Sequence, residues 1–441
     1  MTIAVCADVG STFTKVAAID LDDGRLLGTA SHRTTVDTDV LRGLAAAVDA
    51  LALPGPSAHT LVCSSAGGGL RLAVVGYEPL VTAQAGHRVG LSAGARVVHV
   101  AGGRLDRDAV AALRATRPDV VLLVGGTDGG DEAVLRHNAH RLAAARLSAR
   151  RARIPVVVAG NSAATPDVAS VLSESAIPVV AAANVLPRIG VLNPQPARLA
   201  IREMFLRHVI GGKGLSRGPR FAAMVRGATP DVVLTAVETL AADLGGDLAV
   251  VDIGGATTDV YSVLQPDADA PHDDVAGTQW QSRTVEGDLG MRWSAAGVVE
   301  AAIQERLITP DADLAEAAAS RVADPSLVAA SDEEWRIEAR LAELAATVAL
   351  RRHARGDAVT RSGARDLSRV RWVIGSGGVV RHAPRELAER ALAHAFADHA
   401  GGWRLPRDAA VVVDRDYLLA PAGLLAAEHP EVARHLLRSL L

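Results

Sequence analysis

Three short segments carry the residues whose types and spacing could do chemistry. The first is Asp8-Val9-Gly10-Ser11-Thr12-Phe13-Thr14-Lys15. Gly10 permits a tight turn with positive φ, and backbone N–H groups and small hydroxyls can then line an anion. Asp8 ends an apolar run and would repel a phosphate directly. It makes sense with a divalent cation between them, bound through water as Mg2+ prefers. Lys15 supplies a point charge for a phosphate. Alone, the segment is also compatible with an ordinary hairpin turn.

The second segment, Asp252-Ile253-Gly254-Gly255-Ala256-Thr257-Thr258-Asp259, repeats this logic with two acids. Two such hairpins, far apart in sequence, could face each other across a cleft and clamp a polyphosphate with its metal. The third segment, Gly375-Ser376-Gly377-Gly378-Val379, follows an apolar strand and precedes a helix. Glycines there would let backbone approach a flat base or ribose. The chain has no GxGxxG with a downstream acid and no GxxxxGK[ST], so it is not a P-loop protein.

The elements that must position these segments follow from the apolar pattern. Residues 2–8, 15–20 and 26–32 read as strands, with Asp22-Asp23-Gly24 as a hairpin turn and a helix over 37–51. A further strand, 60–63, ends in Ser64-Ser65-Ala66-Gly67-Gly68-Gly69. From 95 to 185, strands at 96–101, 119–124, 154–159 and 177–182 alternate with helices at 106–116, 131–150 and 166–175. That alternation implies right-handed crossovers and a parallel sheet. Residues 184–230 read as a connector with a helix near 196–209. A last region begins near Pro230: helix 231–244, strands 247–253 and 260–264, a polar loop at 266–277, and helices through 294–355. Strand 370–374, helix 384–399, strand 409–413 and a terminal helix 421–440 close the chain. The expected domains are 1–90, 91–225 and 226–441, with the terminal helix free to pack back on the first. No tandem repeat is present, but the Asp8 and Asp252 segments form a coarse internal echo, each between two strands.

Composition bounds the function. A chain of 441 residues, 49% hydrophobic and 22% charged, is globular, and with 3% aromatics its core must rest on Ala, Val and Leu. A net charge of -4 gives no basic field for nucleic acid. Two cysteines, Cys6 and Cys63, make neither a disulfide framework nor a four-cysteine metal site. No signal peptide and no membrane span is read, so the expected compartment is the cytoplasm. Of 46 Lys plus Arg, only Lys15 and Lys213 are lysines. In so arginine-biased a chain, a lysine in the first hairpin points to a compact charge needed there. Lys213 has no evident role.

The spaced set Asp8–Lys15, Asp252–Asp259 and Gly375–Gly378 resembles the sugar kinase, heat-shock chaperone and actin superfamily of ATPases. The resemblance implies an α/β, two-lobed fold on related five-stranded mixed sheets, with ATP and Mg2+ in the cleft and the parallel α/β region inserted. Glu286-Gly-Asp-Leu-Gly-Met-Arg292 is similar to a Leu-Gly-Gly segment of the chaperones. Together with Cys63-Ser-Ser-Ala-Gly-Gly-Gly-Leu70 and Val121-Leu-Leu-Val-Gly-Gly-Thr-Asp-Gly-Gly-Asp131, it resembles the glutamate mutase accessory family known as MutL or GlmL. That family is unrelated to the mismatch-repair protein of the same name.

The resemblance implies a weak ATPase acting as a chaperone-like reactivating factor for an adenosylcobalamin-dependent mutase, which would be its partner. Asp8 and Asp252 would hold Mg2+ through water. Ser11, Thr12, Lys15, Gly254, Gly255, Thr257 and Thr258 would contact phosphates, and Gly10 would shape the turn. Asp259 would orient the attacking water or the metal shell, and Gly375, Gly377 and Gly378 would pack against adenosine. A homodimer stays open. So do a small-metabolite kinase and an actin-like scaffold. An iron–sulfur activator of the same superfamily is disfavoured, because Cys6 lies in the first strand. Gly125–Asp131 could bind a ligand at a sheet's carboxyl edge or simply cap a helix. His137 and His140 read as a solvated helix face.

Overall fold

Ile3–Val9 is buried at every position, as a strand covered on both faces requires. The structure, a computed structural model, describes all residues except 1, 54, 56–58, 67–68, 80, 150–151, 266–279, 357–363 and 401. Gly67, Gly68 and the polar 266–277 loop therefore lie outside the described residues. The chain forms two units, Met1–Leu234 and Thr235–Pro266 with Trp280–Leu441.

In the first unit, β1 (Ile3–Val9), β2 (Phe13–Asp20) and β3 (Leu26–Arg33) form an antiparallel meander backed by α1 (Val40–Asp49). β4 (His59–Ser64) joins β1 in parallel, and the sheet order is β12-β4-β1-β2-β3. The fifth strand, β12 (Val225–Ala228), returns from far along the chain to pair with β4. Its Val-Arg-Gly-Ala run is short and glycine-containing, so the sequence shows it as connector. It moves the end of this sheet past residue 225.

Between β4 and β12 lies the inserted parallel sheet, ordered β11-β10-β7-β5-β6. Its strands are β5 (Leu70–Gly76), β6 (Ala95–Gly102), β7 (Val120–Leu123), β10 (Val156–Val158) and β11 (Val179–Ala181). A two-residue pair, β8 (Ser148–Ala149) with β9 (Ala152–Arg153), precedes β10. The crossovers are α2 (Thr82–Ser92), α3 (Arg107–Ala115), α4 (Ala133–Ala145) and α5 (Thr165–Glu174). The sheet thus starts at Leu70, ahead of the expected boundary near 91. A buried apolar run of that length does not reveal which sheet it joins.

The connector holds α6 (Gln195–Met204), which continues through a π-helical turn at Phe205–Val209, and α7 (Arg220–Met224). Lys213 ends a short 3-10 turn here, and its Nζ lies 2.7 Å from Asp119 Oδ2 at 4% side-chain exposure. Asp119 also accepts the Arg71 N–H at 3.0 Å, so the second lysine ties the connector to the amino ends of β5 and β7 inside the inserted sheet. The unit division falls inside α8 (Thr229–Leu244).

The second unit repeats the first sheet's plan. β13 (Leu248–Ile253), β14 (Thr258–Val263) and β15 (Gln281–Glu286) are antiparallel, β16 (Trp372–Ser376) and β17 (Ala410–Val413) are parallel, and the order is β15-β14-β13-β16-β17. Its helices are α9 (Ala295–Gln304), α10 (Ala312–Ala323), α11 (Asp332–Arg355), α12 (Gly378–His382), α13 (Arg385–Phe396), α14 (Leu419–Leu425) and α15 (Pro430–Arg438). The terminal helix read over 421–440 is two helices, because Pro430 opens a new one. α15 is held to the end of α8 by Arg438 on Asp243 at 2.6 Å.

The last turn of α11 buries His353, which bonds the Ser262 hydroxyl at 2.8 Å and the Thr284 hydroxyl at 2.9 Å. Burial and nearby Arg365 push this imidazole well below its usual range. The fold is thus mixed α/β, with twin five-stranded mixed sheets of one topology and a parallel α/β insertion. It is the doubled sheet that the superfamily resemblance implied.

Candidate functional site

The two hairpins are built alike. Asp8 faces Lys15 across β1–β2, and Asp252 faces Asp259 across β13–β14. In each, the glycine two residues after the acid donates its N–H back: Gly10 to Phe13 O at 3.1 Å, Gly254 to Thr257 O at 2.9 Å. A Cβ at either glycine would come within 2.9 Å of that carbonyl. Gly10 does not have the positive φ expected of it; closeness to Phe13 O requires glycine there instead.

Asp8 is 4% exposed. Its Oδ1 accepts the Thr229 hydroxyl at 2.5 Å and lies 3.7 Å from Cys63 Sγ, while Oδ2 is 3.9 Å from Lys15 Nζ. Ser11 is exposed and Thr12 half-buried at the tip. Thr229 is a site residue the sequence reading missed. Thr-Pro-Asp carries a helix-start signature, which marks its place at the head of α8 but not its partner. Two residues on, buried Asp231 is gripped by Arg202 Nε at 2.5 Å and Arg198 Nη2 at 3.4 Å from α6.

In the second hairpin, Asp259 Oδ1 accepts from Arg283 Nε at 2.9 Å and Nη2 at 2.6 Å, and Oδ2 accepts the Thr257 hydroxyl at 3.1 Å. Arg283, on β15, was not expected. Its guanidinium sits 5.8 Å from the centre of the Tyr261 ring. Burial opposes its charge, but Asp259 and Tyr261 more than offset that and hold it cationic. Burial, with the Asp259 charge adding, pushes the Tyr261 phenol well up. Asp252 is half-buried at the end of β13. Thr258 points the other way, fully buried, with its hydroxyl donated to Leu289 O at 2.5 Å. Only its backbone remains at the hairpin.

The Glu286–Arg292 motif is a clamp on this hairpin. Met291 N bonds Gly254 O at 2.9 Å, and Arg292 N bonds Gly255 O at 2.8 Å. A Cβ at Gly290 would lie 2.3 Å from Ala256 C, so only glycine fits. α11 holds the segment in turn: Glu338 takes Arg292 Nη1 at 3.1 Å, and Arg352 bonds Glu286 and Asp288 at 2.8 Å each.

The third loop packs on the second hairpin. Gly377 has φ +101, and a Cβ there would fall 2.2 Å from Ile253 O. At Gly375 it would meet Leu392 Cδ1 at 2.3 Å, whereas Gly378 is exposed and open. Of the three glycines, Gly378 therefore presents free space. Beside them, Asp414 donates its N–H to Gly375 O at 2.9 Å, and its buried carboxylate accepts from Leu418 N and Leu419 N. Burial lifts that carboxyl to about 6.

Elsewhere the glycines of Gly125–Asp131 are explained by packing. Asn184 Nδ2 bonds Gly126 O and Asp128, Asn161 Nδ2 bonds Gly130 O, and a Cβ at Gly126 would strike Asp131 O. His137 bonds Leu105 O at 3.1 Å and so is not part of a solvated face. Cys6 and Cys63 are free and buried; burial pushes the Cys6 thiol up to about 12 and the Cys63 thiol well up.

Among the described residues, no cluster of three or more His, Cys, Asp or Glu could enclose a metal. A carboxylate at a strand end, Asp8 in one hairpin and Asp252 in the other, has the donor type that suits a hard cation keeping most of its water. Among the described residues, no helix is long and apolar enough to cross a membrane.

Among solved structures, a nucleotide-free acetone carboxylase is 15% identical, covering 97% of this chain and 70% of its own, with a TM-score of 0.43. A ROK family glucokinase from Streptomyces griseus, in complex with glucose and AMPPNP, is 12% identical over 99% of both chains, at 0.34. Protein MutL of Clostridium tetanomorphum is 35% identical over 460 residues, covering 98% of each chain. The family described as MutL protein matches residues 4–441. With so full a match, the chain belongs to the MutL protein family.

Proposed function

We propose that this chain binds Mg-ATP, hydrolyses it weakly, and uses that cycle as a chaperone-like accessory factor for an adenosylcobalamin-dependent mutase. One observation carries the nucleotide reading: the same acid–glycine hairpin occurs twice, in the same place on two sheets of one topology. Phosphoryl transfer is mainly positioning and charge neutralisation, so acids, hydroxyls, backbone N–H groups and one lysine suffice.

Asp8 and Asp252 take the metal's waters. Ser11, Thr12 and Lys15 serve the phosphates from the first hairpin, and the backbone of Gly254–Thr258 serves them from the second. Gly375 and Gly377 shape the loop that approaches adenosine, and Gly378 is its contact. Mg2+ would supply charge neutralisation on the phosphates. Family membership and the glutamate mutase resemblance support the choice of a mutase as partner.

Reactivation tests it. A cobalamin-dependent mutase of the source organism is inactivated, then given this protein, Mg-ATP and free adenosylcobalamin. Recovered activity that needs ATP and is lost in Asp8→Ala or Asp252→Ala is expected. No recovery with any such mutase refutes the accessory role. Stoichiometric phosphorylation of a small metabolite would favour a kinase instead.

A further inference from the structure

The two hairpins match in register and turn geometry but differ in charge at one facing position. Lys15 stands opposite Asp8, and Asp259 stands opposite Asp252. Facing residues on such strands are about 5 Å apart, so a second acid there is unfavourable unless compensated. Arg283 compensates it: its guanidinium bonds Asp259 Oδ1 twice, is 5% exposed, and its Nη1 has no hydrogen-bond partner among the described residues. The fork is thus aimed at Asp259.

Asp259 Oδ2 is occupied by the Thr257 hydroxyl. A carboxylate only accepts, so the shared proton belongs to Thr257. With that proton committed, Thr257 Oγ1 has lone pairs left and nothing to donate. Phosphate oxygens are also acceptors, so they gain no hydrogen bond from it. A metal-bound water is a donor and fits. We propose that Arg283 is a positioning residue: through Asp259 it fixes the Thr257 proton, so that Thr257 meets the hydration shell of a divalent cation rather than a phosphate. Asp259 is then an orienting group and not a base, and the backbone N–H groups of the turn are left for phosphate. The inference rests on the Mg-ATP reading above for its ligand, though not for the Arg283–Asp259–Thr257 geometry.

The test uses the full chain with Thr257→Val, Thr257→Ser, Arg283→Met, Asp259→Leu and the Arg283→Met/Asp259→Leu double variant. Binding of a fluorescent ATP analogue is followed against Mg2+ concentration, and melting is followed without ligand. Thr257→Val is expected to raise the Mg2+ needed for half-maximal binding about tenfold, a loss the size of one good hydrogen bond. Affinity at saturating Mg2+ should change little, and Thr257→Ser should match wild type.

Each single change of the ion pair should lower the melting temperature. The double variant should melt above both, because no buried charge is left alone. It should still show the Mg2+ shift, its Thr257 proton being released. Two outcomes overturn the inference: wild-type Mg2+ dependence in Thr257→Val, or equal weakening at every Mg2+ concentration, which would mark a phosphate contact. If the wild-type chain binds no nucleotide, the Mg-ATP reading fails and melting alone decides. A double variant no more stable than Asp259→Leu then overturns the positioning pair.

Discussion

Thr229 donates its hydroxyl proton to Asp8 Oδ1 at 2.5 Å, across 221 residues of chain. That bond leaves Oδ2, on the Lys15 side, as the oxygen turned to the hairpin. Thr229→Val removes a donor from a buried carboxylate, at a cost of about 2 kcal/mol. It should lower stability by that amount in urea titration and reduce Mg-ATP hydrolysis at least tenfold. Thr229→Ser should keep most of both. Unchanged hydrolysis in the valine variant would separate Asp8 orientation from turnover.

Lys15→Arg should impair nucleotide binding or hydrolysis while the fold holds. The planar guanidinium is bulkier and cannot take the place of a compact ammonium 3.9 Å from Asp8. Steady-state kinetics with wild-type values would remove Lys15 from the phosphate site.

Lys213→Met should do the opposite. It breaks a buried ion pair with Asp119 and should destabilise the first unit by on the order of 3 kcal/mol. Hydrolysis per folded molecule should stay near wild type at temperatures well below melting. A kinetic defect without a stability defect would contradict the structural role.

Two buried groups give opposite pH slopes. Asp414 rises from 3.8 to about 6 on folding, so its contribution is full below the unfolded value and lost as pH rises through about 6. That change is worth about 3 kcal/mol. His353 is depressed on folding, so its contribution is present above the unfolded value and lost as pH falls below about 6.5. Asp414→Asn should therefore lose stability more steeply than wild type as pH is lowered from 6 to 4. His353→Gln should lose it less steeply. Parallel denaturation curves for the three proteins across that range would refute both assignments.

What the sequence revealed was mostly local. The Asp8 and Asp252 hairpins join adjacent strands, so alternation, turn residues and acid placement all lie in one window. Thr229 and Arg283 do not. One reaches Asp8 through the return of β12, and the other reaches Asp259 from the adjacent strand β15, 24 residues further along the chain. β12 and β5 were hidden for a related reason: a short apolar run states its propensity but not its partner strand. The glycines were seen, yet their causes were partly misread. Gly10 and Gly375 are glycine because neighbouring atoms leave no room for a Cβ. Thr257 and Thr258 look alike in sequence, yet successive side chains alternate as the chain enters β14, so Thr257 turns to Asp259 and Thr258 to Leu289 O.

The contact between Gly377 and Ile253 O fixes a distance. With no side chain between them, the third loop and the end of β13 are in direct backbone contact. A substitution at 377 would therefore act as a spacer, lengthening the interval from the glycine loop to the Asp252 turn. If the loop meets a nucleoside and the turn its phosphates, the chain carries a built-in ruler for the length of the ligand. A graded series of alanine, serine and valine at 377 would shift its preference among ligands of different phosphate number before it unfolded the domain.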